Sequence, residues 1–339
     1  MKKTLTRGIA AAMGMLVLIL DTKTAIDAGQ NAISLCLMTV IPSLFPFFLL
    51  SNLLGAGLLG YTGKSLGWLG KLLKMPKGSE SLFLIGILGG YPTGAKAVAD
   101  AYRNRCISQE DGCRMLGFCS NAGPSFLFGI VGAQFTSGIT VFALWLIHIL
   151  SAVCVGVTLP GGCEETEKTI KSSPITLPQA LKQSVSTMAQ VCGWILVFRV
   201  VFAYLSRWLL WLLPMQVRVL ICGFLEITIG TAALSVFPGE WMRFLFAGVI
   251  LAFGGVCVTL QTLSLTGNLG MGMYLPGKAL QCIYSIVFSW IFLLMTENLT
   301  CTAAEMTGIL AILCGSIALM LGLCAAAKKR GRNFRKLRV

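Results

Sequence analysis

Charge is scarce in this sequence. Asp and Glu together number 13 and Lys and Arg 27 among 339 residues, so 12% of the chain is charged, against about a quarter in soluble domains. A chain so poor in charge cannot clothe a water-facing surface of its own size, which excludes an ordinary soluble enzyme. Histidine is scarcer still. His148 stands alone, so HExxH hydrolases and His-based metal centres are absent, and one peripheral histidine with one lone intramembrane Glu makes hydrolysis a poor fit. No CxxC spacing occurs, and the 13 cysteines are scattered, many in apolar stretches such as those of Cys36, Cys154, Cys192, Cys257 and Cys314. They read as small buried thiols, not as a disulfide framework or a metal site. Long polar segments are also missing, which leaves no room for an attached catalytic domain. Neither a cofactor nor a metal is expected, and the chain is not read as an enzyme.

What is present is apolar. The chain is 56% hydrophobic with a mean hydropathy of +0.81, and several stretches reach the roughly 20 residues that cross a bilayer core. The expected fold is an all-α polytopic membrane protein. The net charge of +14 lies between and after the apolar stretches and in the tail "AAAKKRGRNFRKLRV", as cytoplasmic anchors do, so nucleic acid is not an expected partner.

The Lys/Arg bias of short loops threads the chain through the membrane. "MKKTLTRGIAAAMGMLVLILD" reads as a retained signal anchor over residues 1–28, placing the next segment outside. Residues 29–55 cross inward with Pro42 and Pro46 as kinks, to a loop carrying Lys64, Lys71, Lys74 and Lys77. If residues 81–103 then spanned fully, the segment with Arg103, Arg105 and Arg114 would lie outside, against the rule. A re-entrant hairpin over 81–103 keeps it inside. Ser108 supplies a helix start, with Asp111 at the reciprocal capping position. A broken span over 112–137 and a return over 139–159 complete a first membrane repeat, 29–160.

A polar cytoplasmic linker, 161–183, divides the chain near its middle. Over 184–296 the order recurs in the opposite sense: a span 185–206, a re-entrant hairpin 219–237, a broken span 241–266 and a regular span 277–295. Residues 297–339 hold a last helix and the basic tail. The expected architecture is an inverted-topology repeat with about eight transmembrane helices and two re-entrant hairpins, multi-pass in a cell membrane with both termini cytoplasmic. Every Lys and Arg fits this threading except Lys23, Arg199, Arg207, Arg218 and Arg243.

The breaks matter most. "LFLIGILGGYPTGAKAVADAYRNR" (82–105) begins as a helix and interrupts itself at Gly89, Gly90, Pro92 and Gly94. Non-helical backbone survives at membrane depth only where protein or a water-filled cavity surrounds it. Half-helix termini there offer free N–H and C=O groups to a polar or anionic solute. The candidate substrate contacts are Gly90, Tyr91, Pro92, Thr93, Gly94 and Lys96 in the first break, and Ser120, Asn121, Pro124 and Ser125 in the second. Gln261 and Thr262 come after the Gly254–Gly255 break. Lys96 and Asp100, four apart, could equally pair with each other. Glu226, in "CGFLEITIG" with Thr228, is the candidate for proton or Na+ coupling, because an intramembrane carboxylate is costly unless it faces the protein interior. The competing structural readings are an ion pair with Arg199 or Arg218, or a carboxylate near the outer surface.

"VIPSLFPFFLLSNLL" (40–54), "GGYPTGAKAVADAY" (89–102) and "GFCSNAGPSFLFGIVG" (117–132) resemble the sporulation integral membrane protein YlbJ family, membrane proteins with a nucleoside-recognition or Gate domain. The resemblance implies a bacterial inner membrane protein tied to sporulation, with kinship to concentrative nucleoside transporters. The motif residues it carries over are Gly90, Tyr91, Pro92, Gly94, Lys96, Asn121, Gly123, Pro124, Phe126 and Gly132. The leading expectation is a secondary transporter of a small polar solute, nucleoside-like or anionic. The alternative is a non-transporting membrane component of the sporulation machinery with a ligand-sensing or vestigial cavity. The sequence leaves open whether copies associate into a homo-oligomer.

Overall fold

The computed structural model describes residues 2–58, 66–161 and 175–295. The expected last helix and basic tail, and most of the linker, lie outside the described residues. Among those described there is no strand, and the elements run in this order: α1 Lys2–Leu20, α2 Thr22–Leu35, α3 Ile41–Leu58, α4 Gly67–Leu72, α5 Glu80–Gly89, α6 Thr93–Arg103, α7 Gln109–Cys119 and α8 Pro124–Phe126. The chain continues through α9 Gly138–Thr158, α10 Leu177–Trp208, α11 Met215–Leu225, α12 Ile227–Ala232, α13 Glu240–Phe253, α14 Gly255–Thr266 and α15 Tyr274–Met295.

Among the described residues six stretches are long and apolar enough to cross a membrane: Thr22–Gly55, Gln109–Gln134, Gly138–Thr158, Leu177–Trp208, Glu240–Leu269 and Tyr274–Met295. The protein is therefore a polytopic, multi-pass membrane protein. In the first of these, α2 passes into α3 through a π-helical turn, Cys36–Val40, just ahead of Pro42, and Pro46 sits inside α3. The apolar part of α1, Ala11–Leu20, is shorter than a span.

Burial sorts these spans into two layers. The two broken ones, Gln109–Gln134 and Glu240–Leu269, are 78% buried, while the other four are 22 to 39% buried. Interrupted helices occupy the interior and continuous ones face outward, as the cost of unpaired backbone in lipid demands. A long-range bond from Asn52 Nδ2 to Ser184 Oγ, 2.9 Å, ties α3 to α10 in the outer layer.

Two short helix pairs fold back on themselves. In a straight helix Gly86 and Gly94 would be about 12 Å apart. Here a Cβ built on Gly94 would lie 2.7 Å from Gly86 Cα, so α5 and α6 form a hairpin closed backbone to backbone. Gly223 and Gly230 close α11 on α12 in the same way. Only hydrogen side chains permit such contact.

Helix starts obey local chemistry. Ser108 Oγ accepts the Asp111 N–H at 3.0 Å and donates to Asp111 Oδ2 at 2.8 Å, so the pair caps α7 through a hydroxyl–carboxylate bond. The longest helix, α10, opens on a Thr176–Gln179 capping box at Leu177, inside the stretch read as linker. Arg114, counted in the sequence among the basic residues kept on the inner side, is a buried residue of α7. Its guanidinium donates to the carbonyls of Leu73 (2.8 Å), Lys74 (3.1 Å), Leu159 (3.4 Å) and Gly156. Four backbone oxygens solvate one buried cation, and they pin the 73–74 turn to α7 and α9.

Candidate functional site

Four helix breaks meet in the interior. The first separates α5 from α6: Gly90 takes φ +70°, which a side chain resists, and the Tyr91–Pro92 peptide is cis. Between α7 and α8, the second, residues 120–123 run without helical structure. At the third, a single residue, Glu226, is extended at φ −143°, ψ 118° between α11 and α12. Gly254 (φ +81°) and Gly255 (φ +86°) make the fourth, between α13 and α14.

A small cavity of about 40 Å³ lies among the breaks, lined on its polar side by Gly90, Tyr91, Ser125, Glu226, Thr228 and Gln261. It suits an ion or a water molecule, whose share of liquid volume is about 30 Å³. The first and second breaks touch through backbone alone: a Cβ on Gly90 would lie 2.7 Å from Gly123 N. Glu226 is 2% exposed, and its Oε2 accepts the Ile229 N–H at 2.7 Å, so the carboxylate caps α12. Among the described residues it forms no ion pair with Arg199 or Arg218.

A polar network beside this cavity joins the first two breaks to each other and to the end of α13. Lys278 of α15 is wholly buried. Its Nζ donates to Ser120 O, to Gln281 Oε1 at 2.8 Å and to Tyr91 Oη at 3.2 Å. Three oxygens match the three N–H bonds of an ammonium group. Gln281 Nε2 donates in turn to Asn121 Oδ1 at 2.9 Å, and Asn121 Nδ2 to Phe118 O at 2.7 Å. Tyr91 spans two breaks, donating from Oη to Leu251 O at 3.1 Å, with its ring 3.0 Å from where a Gly254 Cβ would stand. The orphan carbonyls that end α7 and α13 thus find donors inside the protein.

The structure brings most of the expected site residues together. Gly90, Tyr91, Ser125, Gln261, Glu226 and Thr228 share the cavity, and Ser120 and Asn121 belong to the network. Pro92 and Pro124 open the half-helices α6 and α8, while Thr93 packs on Gly89 and Gly94 on Gly86. Thr262 is buried beside the Tyr274 hydroxyl of α15. Lys96 lines neither this cavity nor the larger one beside α2, and Asp100 pairs with Arg103 at 2.5 Å instead of with Lys96.

Three participants were missed in the sequence. Lys278 and Gln281 stand three apart in "YLPGKALQC", at the start of a span read as regular, and their polarity there was the available signal. His148, read as peripheral, is 2% exposed, and its Nε2 accepts the Ala122 N–H at 3.0 Å inside the second break.

No protein-family model and no solved structure matches the chain. Over 313 residues it is 25% identical to the sporulation integral membrane protein YlbJ of Bacillus subtilis (strain 168), a match that covers 78% of this chain and 77% of that protein. This similarity bears out the resemblance carried by residues 40–54, 89–102 and 117–132.

Proposed function

We propose that this chain is a sporulation-associated membrane protein acting as a secondary transporter of a small polar solute, with its site where the four breaks meet. The observation that carries the reading is that residues of three separated breaks, with Gln261 beyond the fourth, line one small cavity with a buried carboxylate on its wall. The order of hairpin, broken span and regular helix occurs twice, as α5 to α9 and as α11 to α15, which supports an inverted-topology repeat with two re-entrant hairpins. In that reading both termini are cytoplasmic, the α5–α6 hairpin enters from inside and the α11–α12 hairpin from outside. Transport moves the repeats against each other around the midplane.

At about 40 Å³ the cavity is far below the roughly 300 Å³ of the smallest usual solute sites. A nucleoside-like or anionic solute enters only after a hairpin withdraws. Glu226 with Thr228 then couples the movement to a proton or Na+, because the carboxylate loses or gains its solvation as the hairpin shifts.

The test is counterflow in proteoliposomes with whichever nucleoside, nucleobase or dicarboxylate raises the melting temperature of the purified protein. Glu226→Gln and Asn121→Leu should each lower the rate at least about tenfold at equal folded amounts. The small size of the cavity favours a second reading, a non-transporting component of the sporulation machinery. If no solute shifts the melting temperature and both variants remain functional in sporulating cells, that second reading stands and the first falls.

A further inference from the structure

A second, larger cavity of about 800 Å³ opens between α2, α10, α11 and α12, and the site at the four breaks does not use it. From α2 it takes Thr24, Asp27, Asn31 and Ser34, spaced three and four apart and so forming one polar face. The same face continues into Leu35 and Met38, giving a lining that passes from polar to apolar over about 20 Å of helix. Opposite stand Arg199 of α10 and Arg218 of α11.

These two arginines differ from their neighbours at this end of the bundle. Arg207 pairs with Asp21 at 3.3 Å and donates to Thr24. Arg243 donates to the carbonyls of Phe237, Gln134 and Pro238. Arg199 and Arg218 form no ion pair among the described residues, and Arg218 Nε is buried without a hydrogen-bond partner. Asp27 is the one acid on the wall, so the lining carries a net positive charge.

The surroundings are those of a membrane interface. Trp208 and Trp211, 52% and 62% exposed, flank the turn between α10 and α11, where indole rings sit at headgroup level. Met38 and Met215, 77% and 50% exposed, form an apolar part of the rim. A vestibule for a water-borne anion would be rimmed by polar groups; this one is cationic within and partly greasy at the mouth.

We propose that this cavity holds the headgroup of an anionic phospholipid, its phosphate between Arg199 and Arg218 and an acyl chain along Leu35 and Met38. Guanidinium groups suit phosphate because their planar fork donates two parallel bonds, and basic pockets between spans recognise anionic headgroups on the same ground. The proposal does not depend on transport.

Native mass spectrometry of the full-length protein from mixed phosphatidylglycerol–phosphatidylcholine micelles tests it. Phosphatidylglycerol should be retained over phosphatidylcholine, and Arg199→Gln and Arg218→Gln should each reduce that retention about fivefold. Arg243→Gln, whose guanidinium is already engaged elsewhere, should leave it unchanged. Asp27→Asn, at an exposed position that does not threaten folding, should raise retention about twofold. Equal retention of the two lipids, or no loss in the arginine variants while Asp27→Asn is also without effect, overturns the proposal. So does displacement of the lipid by glycerol phosphate at equal concentration, which would make the ligand a soluble phosphate compound and not a lipid.

Discussion

Gly86→Ala should unfold the first hairpin. A Cβ at Gly86 falls on the carbonyl oxygen of Cys119, and one at Gly94 falls on the same oxygen. Three backbones, from α5, α6 and the end of α7, therefore meet with no side chain between them. A rotamer change cannot relieve the clash, because the obstacle is main chain. Overpacking usually costs about 1 to 3 kcal/mol, and with rigid backbone opposing it the loss here should be about 3 kcal/mol or more. The gain in helix propensity of about 1 kcal/mol from Gly to Ala is too small to offset it. Thermal unfolding in detergent, monitored by circular dichroism, measures the effect. Gly193→Ala supplies the opposite sign: in the middle of α10, with nothing within 4 Å of its Cβ, it should stabilise by up to about 1 kcal/mol. Equal melting temperatures for Gly86→Ala and the parent protein would show that the hairpin is not closed backbone to backbone.

Lys278→Met should leave the fold standing and abolish transport. Two effects oppose each other in its stability. Removing the ammonium orphans Ser120 O and Gln281 Oε1, at about 1 to 3 kcal/mol for each buried acceptor left unpaired. It also removes a charge that no carboxylate neutralises in this network, and the effective cost of burying an ion is several kcal/mol. The two nearly cancel, so the melting temperature should move little. What does not cancel is the polar tie between breaks: without Nζ, the ammonium bridge from Ser120 O at the end of α7 to Tyr91 Oη in the first hairpin is lost, and only the backbone contact remains. Counterflow should fall by at least about tenfold at an unchanged folded amount. A protein that melts far lower yet transports normally per folded molecule would make Lys278 a structural residue only.

The same network shows why part of the site was legible in sequence and part was not. Gly90, Tyr91, Asn121, Ser125 and Glu226 announce themselves because each lies at a broken local rule, a helix breaker or a charge within an apolar run. Lys278, Gln281 and His148 lie at no helix breaker, and the first two offer only their polarity at the head of a span. Lys278 sits near the start of a helix, where lysine ordinarily reaches for the headgroups, and a single histidine in an apolar helix carries no pattern. Their roles come from neighbours more than 25 positions away, Ala122 for His148 and Ser120 for Lys278. Arg114 is the converse case. In the sequence it counts only as one more inner-side charge; it is buried because four carbonyls surround it.

Composition and periodicity alone determined that this is a multi-pass helical membrane protein, that its helices are interrupted at defined places, and that the interruptions lie inside. Each of these comes from local physics: the bilayer sets the length of apolar runs, and unpaired backbone is excluded from lipid. Only the tertiary structure decided that three of the breaks share one cavity with Gln261, that a lysine joins the first two, and that two of the outlying arginines face a second chamber. Those facts depend on which distant segments pack together, and packing between helices in a membrane is settled by small residues and polar contacts that leave no periodic trace in the chain.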